Sequence, residues 1–521
     1  MLPFILMTVK GVILLAGGVL GFASLLRPDD AAWAKRAPFW IFTGMFVIGM
    51  WGHSYFVASA ALVLALPLFA KGRADAAALY CVLVVSLPLM AQPIRVGSLY
   101  LIGADKYLFC ALGLAIAFMI NRDKAEVLRR AHFGLPILII TALELAQARD
   151  PSLTATVRQA LPALLTILLP YLLLSRSLNN AEDARRYLLA FVLAGFCMAV
   201  IATVEARLHW LIYQQIEGRL GVHVAINGYA KMRAGVLRAP ASFPESTTLG
   251  TFLALSFMAA LAIRDSFTSR KKWYLVLFVL LCGLVSANSR GAFVALAVGL
   301  LAWDIYCRRY RSLMLKAAAA GGIYFFALFA AQFSAFFAAM VGKGSGTAAT
   351  TDYRIQLLHR GMEEIHKHPY LGQNMKTALS HLEDLRQGEG IIDIVNGYIN
   401  YGLTLGYPGI AGLALAFLSL MLAMWVARRR LQNLRLIEPA ACVFAVGTLS
   451  VLNSFFTGFG GVISTSFYQI CAVGSALWAM RALAPTSQSA TGTIPVAPRP
   501  ALAVMIAADR ARAKGEAPAQ A

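Results

Sequence analysis

Residues 187–206 read YLLAFVLAGFCMAVIATVEA, a block of about twenty mostly apolar residues, which is the length of α-helix that crosses the hydrocarbon core of a bilayer. Comparable blocks recur at about 3–26, 38–51, 54–70, 76–92, 106–120, 133–148, 159–175, 244–263, 273–289, 291–306, 315–338, 404–426, 439–456 and 463–481. They are continuous apolar runs rather than amphipathic stripes, so each reads as a span and not as the face of a soluble helix. The expected fold is all-α: a polytopic integral membrane helical bundle of about 14–15 transmembrane helices with a large outer loop containing short helices. The short, closely spaced blocks within 38–92 leave the count open by one.

The composition points the same way. The chain has 521 residues, 59% of them hydrophobic and 14% charged, at a mean hydropathy of +0.68. Soluble domains run nearer ~45–50% apolar and ~25% charged, so a soluble enzyme, a disordered chain, a collagen and a disulfide scaffold are all excluded. Seven cysteines (81, 110, 197, 282, 307, 442 and 471) lie in or beside apolar blocks without metal-ligand spacing and read as small core residues. The N-terminal run to Leu26 has no small-residue cleavage site after a basic start and reads as a retained span.

Forty-six Lys and Arg against 25 Asp and Glu give a net charge of +21. In a polytopic protein that excess belongs to cytoplasmic loops rather than to nucleic acid. The connections 121–130, 264–272, 304–316 and 428–438 each carry four basic residues against one or two acids and are expected to be cytoplasmic. The long connection 339–403 holds six basic and seven acidic residues and is expected on the opposite, periplasmic face, together with 207–243. The chain therefore divides into N-terminal spans (1–206), a core (207–338) with the outer segment 207–243, the large loop (339–403), C-terminal spans (404–484) and a disordered cytoplasmic tail (485–521). No internal repeat is visible, and Glu144 is one of very few carboxylates deep in a span, which argues against an ion-coupled transporter.

Polar chemistry is sought in the two outer segments, because long loops in compact membrane proteins are commonly functional. The larger opens with Gly342-Lys-Gly-Ser-Gly-Thr347, which lacks the ending of a phosphate-binding loop and reads as a hinge. From Thr351 or Asp352, as N-cap, Ile355, Leu358, Met362 and Ile365 predict an amphipathic helix that ends before Pro369. Arg354 sits in its first turn, where the helix dipole favours acids, and so is a candidate anion ligand. His366 and His368, two apart on a helix, point apart and make a poor metal pair. Asp393, Asn396 and Tyr398 stand at the rim of the next span, where a carboxylate could take a proton from a sugar hydroxyl. Lys231, Arg233 and Arg238 in the other outer segment, and Arg290 at the tip of a tight hairpin, are outer-face cations that topology does not require. Guanidinium groups grip phosphate oxygens bidentately, so Arg238, Arg290 and Arg354 together could neutralise a diphosphate at the membrane surface.

Four short stretches carry a resemblance: Arg238 with Phe243-Pro-Glu-Ser-Thr-Thr-Leu249; Ser289-Arg-Gly-Ala-Phe-Val-Ala-Leu296; Tyr353-Arg354 with His368-Pro-Tyr-Leu-Gly372; and Asp393 to Gly406, running on through Tyr-Pro-Gly409. In order and spacing over roughly 235–425 the chain resembles the bacterial O-antigen ligase and polysaccharide polymerase superfamily of integral membrane glycosyltransferases. The resemblance implies transfer of a glycan from a polyprenyl diphosphate carrier at the outer face of the bacterial inner membrane, without nucleotide sugar, metal or other cofactor. It implies that Arg238 and Arg290, and with them Arg354, hold the diphosphate. Many ligases carry a histidine before the asparagine that ends the large loop; here that place is Val395. Asp393 is the substitute proton acceptor, with His381 and Glu389 as further catalytic candidates and Asn396 and Tyr398 as acceptor-positioning groups.

The expected reaction is polymerisation of exopolysaccharide or O-antigen repeat units, the partners being the carrier-linked oligosaccharide, the growing polysaccharide or a lipid acceptor, and chain-length and export proteins. A ligase passing finished glycan to a lipid or protein is the alternative within the same superfamily. A flippase of lipid-linked oligosaccharide and a structural secretion component are alternatives from other classes.

Overall fold

A computed structural model of the protein describes residues 2–97, 99–121, 133–149, 152–220, 232–233, 235–342, 345–386, 390–459 and 461–483. Glu389, Lys231, most of the loop 121–130 and the tail 485–521 lie outside these residues. The described chain is helical almost throughout: α1 (Leu2–Leu25), α2 (Ala37–Trp51), α3 (Tyr55–Phe69), α4 (Arg73–Ser86), α5 (Lys106–Ile120), α6 (Leu135–Gln147), α7 (Leu153–Ser177), α8 (Ala181–Leu208), α9 (Ser246–Ala262), α10 (Arg270–Ala287), α11 (Arg290–Cys307), α12 (Tyr310–Ala330), α13 (Ser345–Lys367), α14 (Gly397–Leu405), α15 (Tyr407–Asn433), α16 (Ile437–Asn453) and α17 (Gly461–Met480). Six of them (α1, α7, α8, α11, α12 and α15) are by length and composition able to cross a membrane, and shorter apolar helices such as α3, α5, α6, α9 and α16 accompany them.

Helix α8 forms the centre. Asn180 caps its start by accepting a hydrogen bond from Asp183 N at 2.9 Å. Its length is buried against α4, α9, α10 and α1. At the periphery, α12 buries none of its span and presents Ile323, Phe325, Phe326 and Phe329 outward. Lipid tails are as apolar as these side chains, so in the bilayer it is close packing of α8, rather than hydrophobicity as such, that separates core from periphery.

Connections gather at two ends of the bundle. The basic segment 264–272 meets Leu25, Arg27 and Asp30 and the start of α8, where Arg185 bridges Asp30, Glu182 and Ser266. The segments 207–243, 286–291 and 453–457 meet at the other end.

Several expectations are corrected. The block 76–92 is not one span: α4 stops at Ser86, before Pro88, and Ala91–Val96 pairs antiparallel with Leu99–Asp105, because Pro88 and Pro93 cannot continue a helix and Gly97, at φ +61°, makes the turn. The block 315–338 breaks after Ala330 and resumes as Ala335–Val341. The block from 404 belongs to two helices, α14 and α15, divided at Gly406. Helix α13 begins at Ser345, so Thr351 and Asp352 are interior residues and not caps, and Arg354 lies beyond its first turn. Its buried face also differs: Ile365 is buried, but Ile355 and Leu358 are exposed and Leu357 takes the inner place, because Gly361 brings the helix close to Ile399 of α14. Arg428, counted with a cytoplasmic loop, is buried within α15 and donates Nε–H to the Tyr306 carbonyl at 2.6 Å.

Candidate active site

The segment 207–243 is tied at both ends by one residue. Glu205, fully buried in the last turn of α8, accepts hydrogen bonds from Ile212 N (3.0 Å) and Ala241 N (2.9 Å). Ala239 N donates to the Ser286 carbonyl at 3.1 Å and docks the returning chain on α10. Just before it, Met232–Arg233 pairs with Val236–Leu237 in a minimal hairpin. This brings Arg233 and Arg238 to the α10–α11 hairpin, where Arg233 Nη1 donates to the Asn288 carbonyl at 2.8 Å.

Asn288 ends α10 in the left-handed conformation (φ +49°), a place that asparagine tolerates better than most residues. Its side chain is 1% exposed, and neither its Oδ1 nor its Nδ2 has a hydrogen-bond partner. Two residues on, Arg290 opens α11. A Cβ placed on Gly342, itself at φ +88°, would lie 2.8 Å from Arg290 Nη1, so glycine at 342 is what admits the guanidinium beside the chain. Helix α13 contributes Arg354. The preceding Tyr353 hydroxyl donates to Asp393 O (2.9 Å) and accepts from Asp393 N (3.0 Å), which fixes the Asp393 backbone beside Arg354.

The four arginines stand in one another's fields. Burial, and then the charges of Arg238, Arg290 and Arg354, bring the Arg233 guanidinium down to about 10. Arg238 is lowered by burial and by Arg354 and Arg290, with Glu245 opposing. Arg354 is lowered by burial and by Arg290, with Asp393 opposing. The Nε–H groups of Arg238 and Arg354 are buried without a hydrogen-bond partner. Four cations against the two carboxylates Glu245 and Asp393 leave an excess of positive charge, and the unmet donors are an arrangement that a multiply charged oxyanion would complete.

The other expected residues are placed differently. Asn396 accepts from Tyr398 N (2.9 Å) and Ile399 N (3.2 Å), capping α14, and Tyr398 donates its hydroxyl to the Val451 carbonyl at 3.0 Å. Both hold α14 in place: Gly397 N donates to Ser454 O and Thr457 O, and Phe456 in that same turn packs on Gly291 beside Arg290. His381 is not brought to the arginines. Its Nδ1 lies 2.6 Å from Glu364, ten residues beyond Arg354 on α13 and hence about 15 Å along the axis. His366 is committed through both ring nitrogens, to the Met362 carbonyl and the Tyr407 hydroxyl.

The remaining two stretches pack on each other. Gln373 N donates to Leu403 O (2.9 Å) and Tyr407 N to Pro369 O (2.8 Å), seating the turn 368–372 on the break between α14 and α15. Residues 275–414 match the O-antigen ligase family model, Wzy_C. Over that stretch, 140 of its 521 residues, the chain is similar to the O-antigen ligase family. No curated protein matches it by sequence. The match supports a function of the O-antigen ligase or polymerase type.

The O-antigen ligase segment contains Arg290, Arg354 and Asp393, whereas Arg233, Arg238 and Glu245 precede it, so the cluster draws on chain beyond the family match. Sequence reasoning gave no role to Arg233, Glu245, Asn288 or Glu205. Arg233, named as a cation, could have been joined to the set from its five-residue spacing to Arg238 across Gly235. Glu205, at the end of an apolar block, carried no signal for the loop that it anchors.

Proposed function

We propose that this protein is a glycosyltransferase that polymerises polyprenyl-diphosphate-linked repeat units at the periplasmic face of the bacterial inner membrane. The observation that carries the reading is the cluster Arg233, Arg238, Arg290 and Arg354, with buried guanidinium donors left unmet by the protein. A diphosphate accepts those donors and brings the charge that the cluster lacks. The positive field is strongest for the leaving diphosphate, whose charge grows as the glycosidic bond breaks, so it favours the transition state over the ground state.

In the step itself, the acceptor hydroxyl oxygen bonds to the anomeric carbon, the bond from that carbon to the phosphate oxygen breaks, and its electron pair leaves with the diphosphate. Asp393, held by Tyr353 beside Arg354, receives the hydroxyl proton. Attack opposite the leaving group inverts the anomeric centre. The test is Arg290→Ala and Asp393→Ala in the producing bacterium. Both are expected to abolish polymer at normal protein level while single lipid-linked units accumulate on the periplasmic face; full-length polymer in both variants overturns the assignment, and units retained on the cytoplasmic face would mean a flippase. A ligase is the second reading, favoured by the similarity of residues 275–414 to O-antigen ligases. It predicts that a deletion strain makes full-length polymer that stays on its carrier, where a polymerase predicts single units only.

A further inference from the structure

Helices α13 and α14 run side by side, and their far end, remote from the arginines, holds a second polar feature. A cavity of about 290 Å³ lies between the ends of α6 and α14, the first turns of α7 and the short helix Met375–Ser380. It is lined by Glu144, Gln147, Gln159, Lys376 and Thr404 among others. Thr404 is eight residues beyond the Asn396 cap, about 12 Å along the helix.

The cavity is built rather than incidental. The Tyr401 hydroxyl donates to Glu144 Oε1 and fixes that carboxyl. Arg149 Nη1 donates to the Leu371 carbonyl at 2.6 Å, and Asn374 Nδ2 donates back to the Arg149 carbonyl at 2.9 Å, lashing the end of α6 to the loop that forms the opposite wall. Gln147 Nε2 is buried with no hydrogen-bond partner. A carboxyl group held inside a membrane helix, next to an unmet amide donor, is costly unless something uses it.

The geometry points to a saccharide-binding subsite in this cavity, an inference that rests on the arginine cluster as the carrier site. Sugar hydroxyls both donate and accept, which suits a wall that alternates carboxylate, amide, ammonium and hydroxyl groups. The Glu144 carboxylate opposes a phosphate there, and the polar wall opposes an acyl chain. The volume is at the small end of ligand pockets, which run ~300–1,000 Å³, so it takes one sugar residue and not a chain. At its distance from the arginines it reads either a sugar of the carrier-linked unit or one of the incoming acceptor.

The experiment measures binding to the full-length protein in lipid nanodiscs of three probes: the lipid-linked glycan extracted from the producing bacterium, bare polyprenyl diphosphate, and the same glycan released from its carrier by mild acid. Wild type is expected to bind the glycan-bearing carrier about tenfold more tightly than the bare carrier, the worth of one or two hydrogen bonds. Gln147→Ala with Glu144→Gln, and separately Thr404→Val as the milder variant, are expected to lose that preference and to lose the released glycan, while binding bare carrier as before. Released glycan that displaces the glycan-bearing carrier places the donor's own sugar in the cavity, and released glycan that binds alongside it places the acceptor there. Undiminished preference in both variants overturns the inference. Failure of bare carrier to bind wild type defeats the arginine-site reading instead, and the released glycan then decides the cavity alone.

Discussion

Arg185 and Arg354 are both half-buried arginines on helices, yet their surroundings are opposite. Arg185 places Nη1 and Nη2 on the two oxygens of Asp30 at 2.7 and 2.9 Å, sets Nε and Nη2 on Glu182, and reaches Ser266 as well. Arg354 has a buried Nε–H with no partner, a neighbour Tyr353 whose hydroxyl holds the Asp393 backbone, and Arg290 as a like charge that Asp393 opposes. A guanidinium that the protein itself satisfies holds the fold together. One that the protein leaves unsatisfied costs stability, and that cost is met when a ligand arrives.

The largest effect should therefore separate the two. Arg354→Ala or Arg238→Ala is expected to lower glycan transfer by at least about 100-fold, consistent with loss of a charge-stabilising donor in a buried site, while apparent melting temperature in detergent stays level or rises. Arg185→Ala should do the reverse: it strands Asp30, which is 4% exposed, and is expected to cut protein abundance while leaving the specific activity of what folds near wild type. Equal loss of specific activity in both sets would break the comparison.

A ligand test sharpens it. Inorganic pyrophosphate at millimolar concentration is expected to raise the wild-type melting temperature by a few degrees, and to do so less in Arg238→Lys, because a lysine offers a point charge where the bidentate fork is lost. No shift in Arg238→Ala and an undiminished one in Arg185→Lys complete the pattern; identical shifts across all of them would mean nonspecific anion binding.

Gly342→Ala should have a smaller effect of the same kind. Its Cβ would fall 2.8 Å from Arg290 Nη1 at a backbone angle alanine avoids, so Arg290 must move. About tenfold loss of transfer is expected, in a protein that still binds carrier.

How much of this was legible beforehand follows from the kind of signal each feature leaves. The spans were readable because burial in lipid demands continuous apolar runs, and α8, α10 and α11 lie within a few residues of their blocks. The hairpin at 91–105 was missed because Leu-Pro-Leu-Met and Gln-Pro-Ile are apolar enough to extend a block, and only the two prolines argue otherwise. Arg238, Arg290 and Arg354 were legible as charges in connections that the charge alternation assigns to the outer face, where topology does not require them. Arg233 was legible as a charge but not as a member of the set, and Glu245 was hidden in a motif already quoted, since only the fold shows which neighbours turn inward. The buried place of Leu357 rather than Leu358 was beyond periodicity, because both fit a helical stripe and the close approach at Gly361 decides between them.

The smallest effect lies along α13 itself, where the comparison repeats within one helix. At the Arg354 end a guanidinium N–H is unmet; at the other end Glu364, 3% exposed, accepts from Lys367 (2.8 Å), Gln373 (2.7 Å) and His381 (2.6 Å). Burial pushes this carboxyl up, but those bonds outweigh it and hold it at about 2, against 4.5 for a free glutamate. A carboxyl depressed in the folded state stabilises the fold fully above the unfolded value, and that stability is lost as pH falls from about 4.5 towards 2. Glu364→Gln is thus expected to cost about 1–3 kcal/mol at pH 7, read as faster hydrogen exchange across 373–386 after correction for intrinsic rate, with the gap from wild type closing below pH 4. Transfer activity should fall only to the extent that this segment loosens. A loss as deep as that of Arg354→Ala would place His381 in the chemistry and move the proton acceptor from Asp393 to the opposite end of the helix.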